Sequence, residues 1–241
     1  MYSIDYNAIW LSLKVAVYTS VIALPLAVVI GYILARKEFK GKILLEAILH
    51  LPMVMPPVTT GYLLLIVFGV NGFIGKWLFE LTGIKLAFSF AAAVIASVVV
   101  SFPLIIRSVK VAMEMVDANL EEASKSLGAS PVQTFINITL PLAWPGILGG
   151  FVLAFARSLG EFGATITFAG NIAGETRTLP LAIYSKMQVP GQESETFILV
   201  AFSVGISLVA IVLSEYFYRK KKKQAGSSGT IKSSLKKYPF K

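Results

Sequence analysis

VDANLEEASKSLGASPVQTFINITLP, residues 116–141, is the one long polar interruption in a chain that is otherwise hydrocarbon-loving. Its chemistry spells two short helices and a hinge. Asn119 and Glu122 have the N-x-x-E spacing of a capping box, Gly128 can take the left-handed conformation that stops a helix, and Ser130-Pro131-Val132-Gln133 opens another. A helix-turn-helix of this kind suits docking, DNA binding or a plain link between two spans, and what flanks it decides where it sits.

The 241 residues are 56% hydrophobic with a mean hydropathy of +0.74, whereas an average soluble domain is roughly half apolar. The composition is that of a polytopic membrane protein. Only 15% of residues are charged, yet the net charge is +9. Sixteen of the 22 basic residues fall on the side carrying Arg36 to Lys42, Arg107, Lys110, Lys125 and the run Arg219 to Lys223, against Lys76, Lys85, Arg177 and Lys186 on the other. That asymmetry follows the positive-inside bias, so the basic balance marks orientation and calls for no nucleic acid. With no cysteine, disulfides, thiolate metal sites and cysteine nucleophiles are excluded. The first apolar run is too long for a cleavable signal and lacks a small-residue cleavage site.

Five spans are expected, at about 9–35, 47–70, 86–106, 142–169 and 196–218. Residues 1–8 form an extracytoplasmic lead, 9–223 the membrane domain, and 224–241 a disordered basic cytoplasmic tail. Lys14 snorkels from the outer end of the first span. The second opens with Leu51-Pro52-Met53-Val54-Met55-Pro56-Pro57, where three prolines forbid a regular helix start. Irregular backbone at membrane depth needs protein or a water-filled cavity over it, which points Pro56 and Pro57 toward a subunit contact or a pathway. Ile74 to Leu81 is an amphipathic piece in the outer loop. An odd number of spans puts the N-terminus outside and the 116–141 stretch inside. One such chain is too small to enclose a pathway, so a two-fold symmetric dimer is expected.

No H-E-x-x-H, nucleophile elbow or phosphate-binding G-x-x-x-x-G-K is present, and no metal or cofactor is expected. If the chain belongs to a pump, its motor is a separate subunit. His50, the lone histidine, has a structural or hydrogen-bonding role. Arg157 and Glu161 share one helix face inside the fourth span. Each intramembrane charge costs roughly 3 kcal/mol, so the pair faces protein or water. The guanidinium either offers paired donors to a tetrahedral anion or serves structurally by pairing with Glu161 or holding the dimer together. Gly160 and Gly163 permit close helix approach or a bend, and Arg177 is an exposed loop charge or a contact for a docked protein.

Glu122-Ala123-Ser124, three residues, Gly128, nine residues, then Ile138-Thr139-Leu140-Pro141 resembles the cytoplasmic coupling motif of ABC importer permeases. Ser124 stands where that family often has a second alanine. The resemblance implies an all-α type I (MetI-like) permease fold, with five transmembrane helices and a cytoplasmic coupling helix-turn-helix. It also implies a surface for ATPase coupling formed by Glu121, Glu122, Ala123, Ser124, Leu127, Gly128, Ala129, Ser130 and Pro131. The A-R-x-x-G-E-F-G-A run at 156–164 is similar to the oxyanion branch, which carries molybdate, tungstate, sulfate and thiosulfate. Leu49-His50-Leu51-Pro52, Asn71-Gly72-Phe73-Ile74-Gly75 and Asn171-Ile172-Ala173-Gly174-Glu175-Thr176-Arg177-Thr178 look like molybdate permeases in particular.

What this implies is a multi-pass cell-membrane permease subunit importing molybdate, with tungstate as a further candidate ion, by alternating access. Its partners would be a second copy of itself, a cytoplasmic ABC ATPase dimer, an extracytoplasmic oxyanion-binding protein and membrane lipid. Arg157, Gly160, Glu161, Gly163, Pro56 and Pro57 are the candidate pathway or gate. A sulfate, thiosulfate or dedicated tungstate permease is the alternative within the class. A non-transporting membrane scaffold is the alternative outside it, disfavoured by the charged pair and the proline-rich entry.

Overall fold

The computed structural model describes residues 5–227, with side chains described as far as Val212, and all of its regular structure is helical. Helix α1, Tyr6–Arg36, begins where the Asp5 carboxylate accepts the Ala8 N–H at 3.1 Å. Its 31 residues reach about 46 Å at ~1.5 Å per residue, enough to cross a bilayer and emerge at both faces.

The expected second span, 47–70, is instead two helices, α2 (Lys42–Val54) and α3 (Pro57–Phe68), bent by 114°. Pro56 is extended at φ −55° and ψ 131°, and Pro57 takes the first turn of α3, where its missing N–H costs nothing. Helix α4, Phe73–Thr82, is the short amphipathic piece, stopped by Gly83 at φ 69°.

Helix α5, Phe90–Glu114, runs well past the expected end at 106. Arg107 and Lys110 do not terminate it, because charged residues at a membrane exit are good helix formers, and Lys110 is held at 2.6 Å by Glu46 of α2 and at 3.7 Å by Glu114 one turn on.

The polar stretch forms α6 (Ala118–Ser126) and α7 (Pro131–Thr134). From α7 the chain passes through a π-helical turn, Phe135–Thr139, directly into α8, Leu140–Leu159, so that Pro131–Leu159 is one helix of 29 residues. The fourth span does not continue to 169 as expected. It breaks at Gly160–Phe162, and α9 resumes at Gly163–Phe168. Helices α10 (Leu179–Met187) and α11 (Glu193–Ser227) complete the described chain. Helix α11 starts before the expected 196 and includes the first residues assigned to the tail; residues 228–241, and the lead residues 1–4, lie outside the described residues. Among the described residues four helices are long and apolar enough to span, or five if the bent α2–α3 pair is counted as one broken span.

Among the described residues the core has two main lobes and a smaller third cluster of Ala8, Leu179, Ala182 and Leu199. Ala23, Ala27 and Leu34 of α1 meet Ile105, Ile106 and Val109 of α5 and Ile147 of α8. Leu64 of α3, Ala92, Ala93 and Ala96 of α5, and Ala164 and Phe168 of α9 form the other. Membrane helices pack where small residues admit close approach. A Cβ on Gly31 would lie 2.8 Å from Val109 Cγ1, and one on Gly150 2.9 Å from Ser108 Cβ, so α5 is gripped on both sides by backbone-close contacts.

Candidate functional site

The hairpin α6–α7 is built from its caps. Asp117, rather than Asn119, is the N-cap of α6: its carboxylate accepts the Asn119 N–H at 2.9 Å, and Asn119 lies inside the helix. The expected Asn119–Glu122 box therefore does not form. Asp117 sits two residues upstream, and its carboxylate reaches the free first-turn donor first. Glu121 near the start of α6 and Lys125 near its end complement the helix dipole. Gly128 is left-handed at φ +90° and ends the helix, with its N–H donated to the Lys125 carbonyl at 2.9 Å. The run read from the sequence as a helix start opens α7 with a full capping box: Ser130 Oγ accepts from the Gln133 N–H at 3.3 Å, and Gln133 Oε1 accepts from the Ser130 N–H at 2.8 Å.

Turned outward on this hairpin are Glu122, Ala123, Gly128, Ser130 and Pro131, with Leu127 90% exposed. Ala129 is half-buried, donating its N–H to the Ser124 carbonyl at 3.1 Å. Ser124 explains its departure from alanine, since its hydroxyl lies 3.2 Å from that of the buried Thr134 and ties α6 to α7.

Glu121 behaves differently from its neighbour. It is 4% exposed, and one of its oxygens, Oε1, accepts from Arg36 Nε at 3.0 Å, from Arg36 Nη2 at 2.8 Å and from Thr139 Oγ1 at 2.7 Å. Arg36 Nη2 also donates to the Val116 carbonyl at 2.8 Å. Arg36 and Thr139 had no site role in the sequence reading. From the sequence Arg36 counts only toward the basic asymmetry across the membrane, and no spacing rule links it to a partner 85 positions away.

The second cluster lies where the two broken spans meet. Arg157 Nη2 pairs with Glu161 Oε2 at 2.8 Å, and Glu161 Oε1 accepts the Ala164 N–H at 2.8 Å, so a carboxylate that is only 1% exposed caps the first turn of α9. Arg157, at the end of α8, is one-third exposed. Gly160 and Gly163 have separate roles. Nothing lies within 4 Å of a Cβ built on Gly160, which marks the break, whereas one on Gly163 would lie 2.8 Å from Pro57 Cβ and 3.2 Å from the Val58 nitrogen. Gly61 meets Ala164 and Thr167 just as closely. The structure thus brings Pro57, Gly163, Glu161 and Arg157 together, with Pro56 beside them as the N-cap of α3. His50 keeps a hydrogen-bonding role, its Nδ1 2.7 Å from the Glu46 carbonyl. Arg177 is held by Asn171, to whose Oδ1 its Nε donates at 2.9 Å. Among the described residues, no group of three or more His, Cys, Asp or Glu side chains could hold a metal ion.

Residues 27–223 match the family described as binding-protein-dependent transport system inner membrane component. The chain belongs to that family. This inner-membrane component is 51% identical over 222 residues to the molybdenum transport system permease protein ModB of Haemophilus influenzae, covering 92% of this chain and 97% of the relative. Its identity to the ModB of Escherichia coli K12 is 48%, with the same coverage. In fold it is similar to a chain of the inward-facing MetNI methionine ABC transporter, with a TM-score of 0.68 at 18% identity, covering 90% of this chain and 95% of that one. The type I permease fold is therefore that of this inner-membrane component.

Proposed function

We propose that this chain is the transmembrane subunit of an ATP-driven, binding-protein-dependent importer that carries molybdate into the cytoplasm by alternating access. The observation that supports it best is the hairpin: a rigidly capped, outward-facing helical pair on a membrane domain, suited to docking a separate motor. The molybdenum permeases to which the chain is about half identical supply the substrate. Tungstate, of the same charge and nearly the same size, is the expected second ion. The basic asymmetry supports an orientation with the hairpin, Arg36 and α11's end in the cytoplasm and the loop bearing Arg177 facing the binding protein outside.

A homodimer is part of the proposal. Helix α2 has no buried residue, and Pro56 and Pro57 are exposed at the bend. Lipid gives no hydrogen bonds to a broken backbone, so a second copy or the pathway itself must cover this face. The junction of Pro57, Gly163, Glu161 and Arg157 is then the candidate gate, with Arg157 and Glu161 holding its shape.

Reconstitution tests the reading. Liposomes containing this chain, its ATPase and its binding protein are expected to accumulate molybdate only with ATP. Gly128→Pro and Glu122→Lys should leave the chain inserted and dimeric but uncoupled from ATP hydrolysis. No ATP-dependent uptake of molybdate, tungstate or sulfate by the unaltered complex would overturn the proposal.

A further inference from the structure

We propose that Arg36 is a positioning residue for coupling: a clamp through which movement of the α6–α7 hairpin reaches α1 and α8 together. The proposal rests on the importer reading above. Its basis is how little else holds α6. Of the nine residues of α6, Glu121 is the one that is buried; the Ser124 hydroxyl reaches Thr134 of α7, and Glu121 is the side chain through which the helix reaches α1. That side chain ends in an oxygen shared by Arg36 of α1 and Thr139, the last residue of the π-helical turn that leads into α8.

The chemistry explains why arginine serves here. A guanidinium presents several donors in a fixed plane, and Arg36 uses them on two acceptors at once, the Glu121 carboxylate and the Val116 carbonyl. One acceptor lies in α6 and the other just before it, so the segment is held at two points. A lysine ammonium keeps the charge but not the planar fork. Stability alone gives weak reason for the arrangement, since a buried ion pair can often be replaced by apolar side chains without loss. What the pair supplies is one defined geometry. One turn earlier on α1, the Tyr32 ring meets Phe135 edge-on with centroids 4.7 Å apart, so α1 touches the π-helical turn as well as the hairpin. Single π-helical turns inside α-helices recur at functional sites. Here the turn stands between the docking surface and the long lever of α8.

The test measures ATP hydrolysed per molybdate ion imported in the full reconstituted complex. With Arg36→Gln the ATPase still co-purifies, but the ratio is expected to rise about tenfold, a coupling loss within the usual range for linked sites. Arg36→Lys should fall between that value and the wild type. Thr139→Val, which keeps the shape and removes one hydroxyl donor, should raise the ratio about threefold. The exchange Arg36→Glu with Glu121→Arg should recover part of the loss. If Arg36→Gln does not insert, Thr139→Val and Arg36→Lys decide. A wild-type ratio in every variant that inserts would remove the clamp while leaving the importer reading intact. Failure of the unaltered complex to import would instead remove the reading on which the clamp rests.

Discussion

Glu161→Ala should be among the most costly single changes in the membrane domain. The substitution removes two contacts at 2.8 Å, the ion pair with Arg157 and the cap on the Ala164 N–H. Taking one partner from a buried pair costs about 3–5 kcal/mol. Arg157 is one-third exposed and can partly find other solvation, so the lower end, about 3 kcal/mol, applies. Loss of the cap adds about 1 kcal/mol. At roughly 2–4 °C per kcal/mol for a chain of this size, the sum of about 4 kcal/mol predicts a fall in Tm of about 8–16 °C in detergent. Glu161→Gln keeps an oxygen for Ala164 and should lose about 3 kcal/mol. The double variant Arg157→Met, Glu161→Gln removes both charges and keeps the cap, so it should be more stable than either single variant, with a coupling energy of about 2–3 kcal/mol. Thermal unfolding followed by tryptophan fluorescence reads each step. Additive single effects would refute the ion pair as the element that holds the break. A double variant that folds and dimerises but imports no molybdate would refute a purely structural role, placing Arg157 in contact with the ion.

The two glycines of the junction should separate in the same assay. Gly163→Ala drives a methyl into Pro57 and Val58 and should cost about 1–3 kcal/mol, whereas Gly160→Ala meets open space and should stay within about 0.5 kcal/mol; equal effects would show that the approach of α3 to α9 is not set by Gly163. Leu127→Asp changes a side chain that touches little of its own protomer, so Tm should hold while affinity for the ATPase falls about tenfold or more, by ~1.4 kcal/mol. Unchanged association in a titration would take Leu127 out of the docking surface.

The features that could be read from the sequence are those with local causes. Gly128 and the Ser130-Pro131-Val132-Gln133 run each carry their own stereochemistry, and both stand in the structure as read. Of the prolines expected to forbid a regular helix, Pro52 is accommodated inside α2 and the break falls at Pro56 and Pro57; none of them fixes the 114° bend, because the angle depends on α3 packing against α9 through Gly61 and Gly163. At V-D-A-N-L-E-E two polar residues compete to cap one helix, and the choice of Asp117 depends on which side chain is free. Glu121 and Glu122 look alike in the sequence. One turns inward to Arg36 and the other stays in solvent, a difference made by a partner far along the chain that no periodicity contains. A bend at Gly160 is one of two readings that the sequence leaves open, and the choice between them is undecided there for a similar reason. The Arg157–Glu161 spacing reads as a continuous helix face, yet Glu161 uses its second oxygen to start a new helix.

The hairpin and the junction, distant from each other, sit at the two ends of one element. Pro131–Leu159 is continuous over 29 residues, about 43 Å at ~1.5 Å per residue. Its first turns belong to the hairpin, and its last carries Arg157. Near its middle, Gly150 presses α8 onto Ser108 and Ile105 of α5 closely enough that a single added methyl would collide. A packed contact of that kind resists sliding and favours rotation about itself. A tilt imposed at α7 therefore has a path along α8 as far as Arg157, with α5 as the pivot and the π-helical turn and Pro145 as irregularities along the way. The same geometry makes Gly150→Ala a change that should impair transport without touching either the proposed docking surface or the candidate gate.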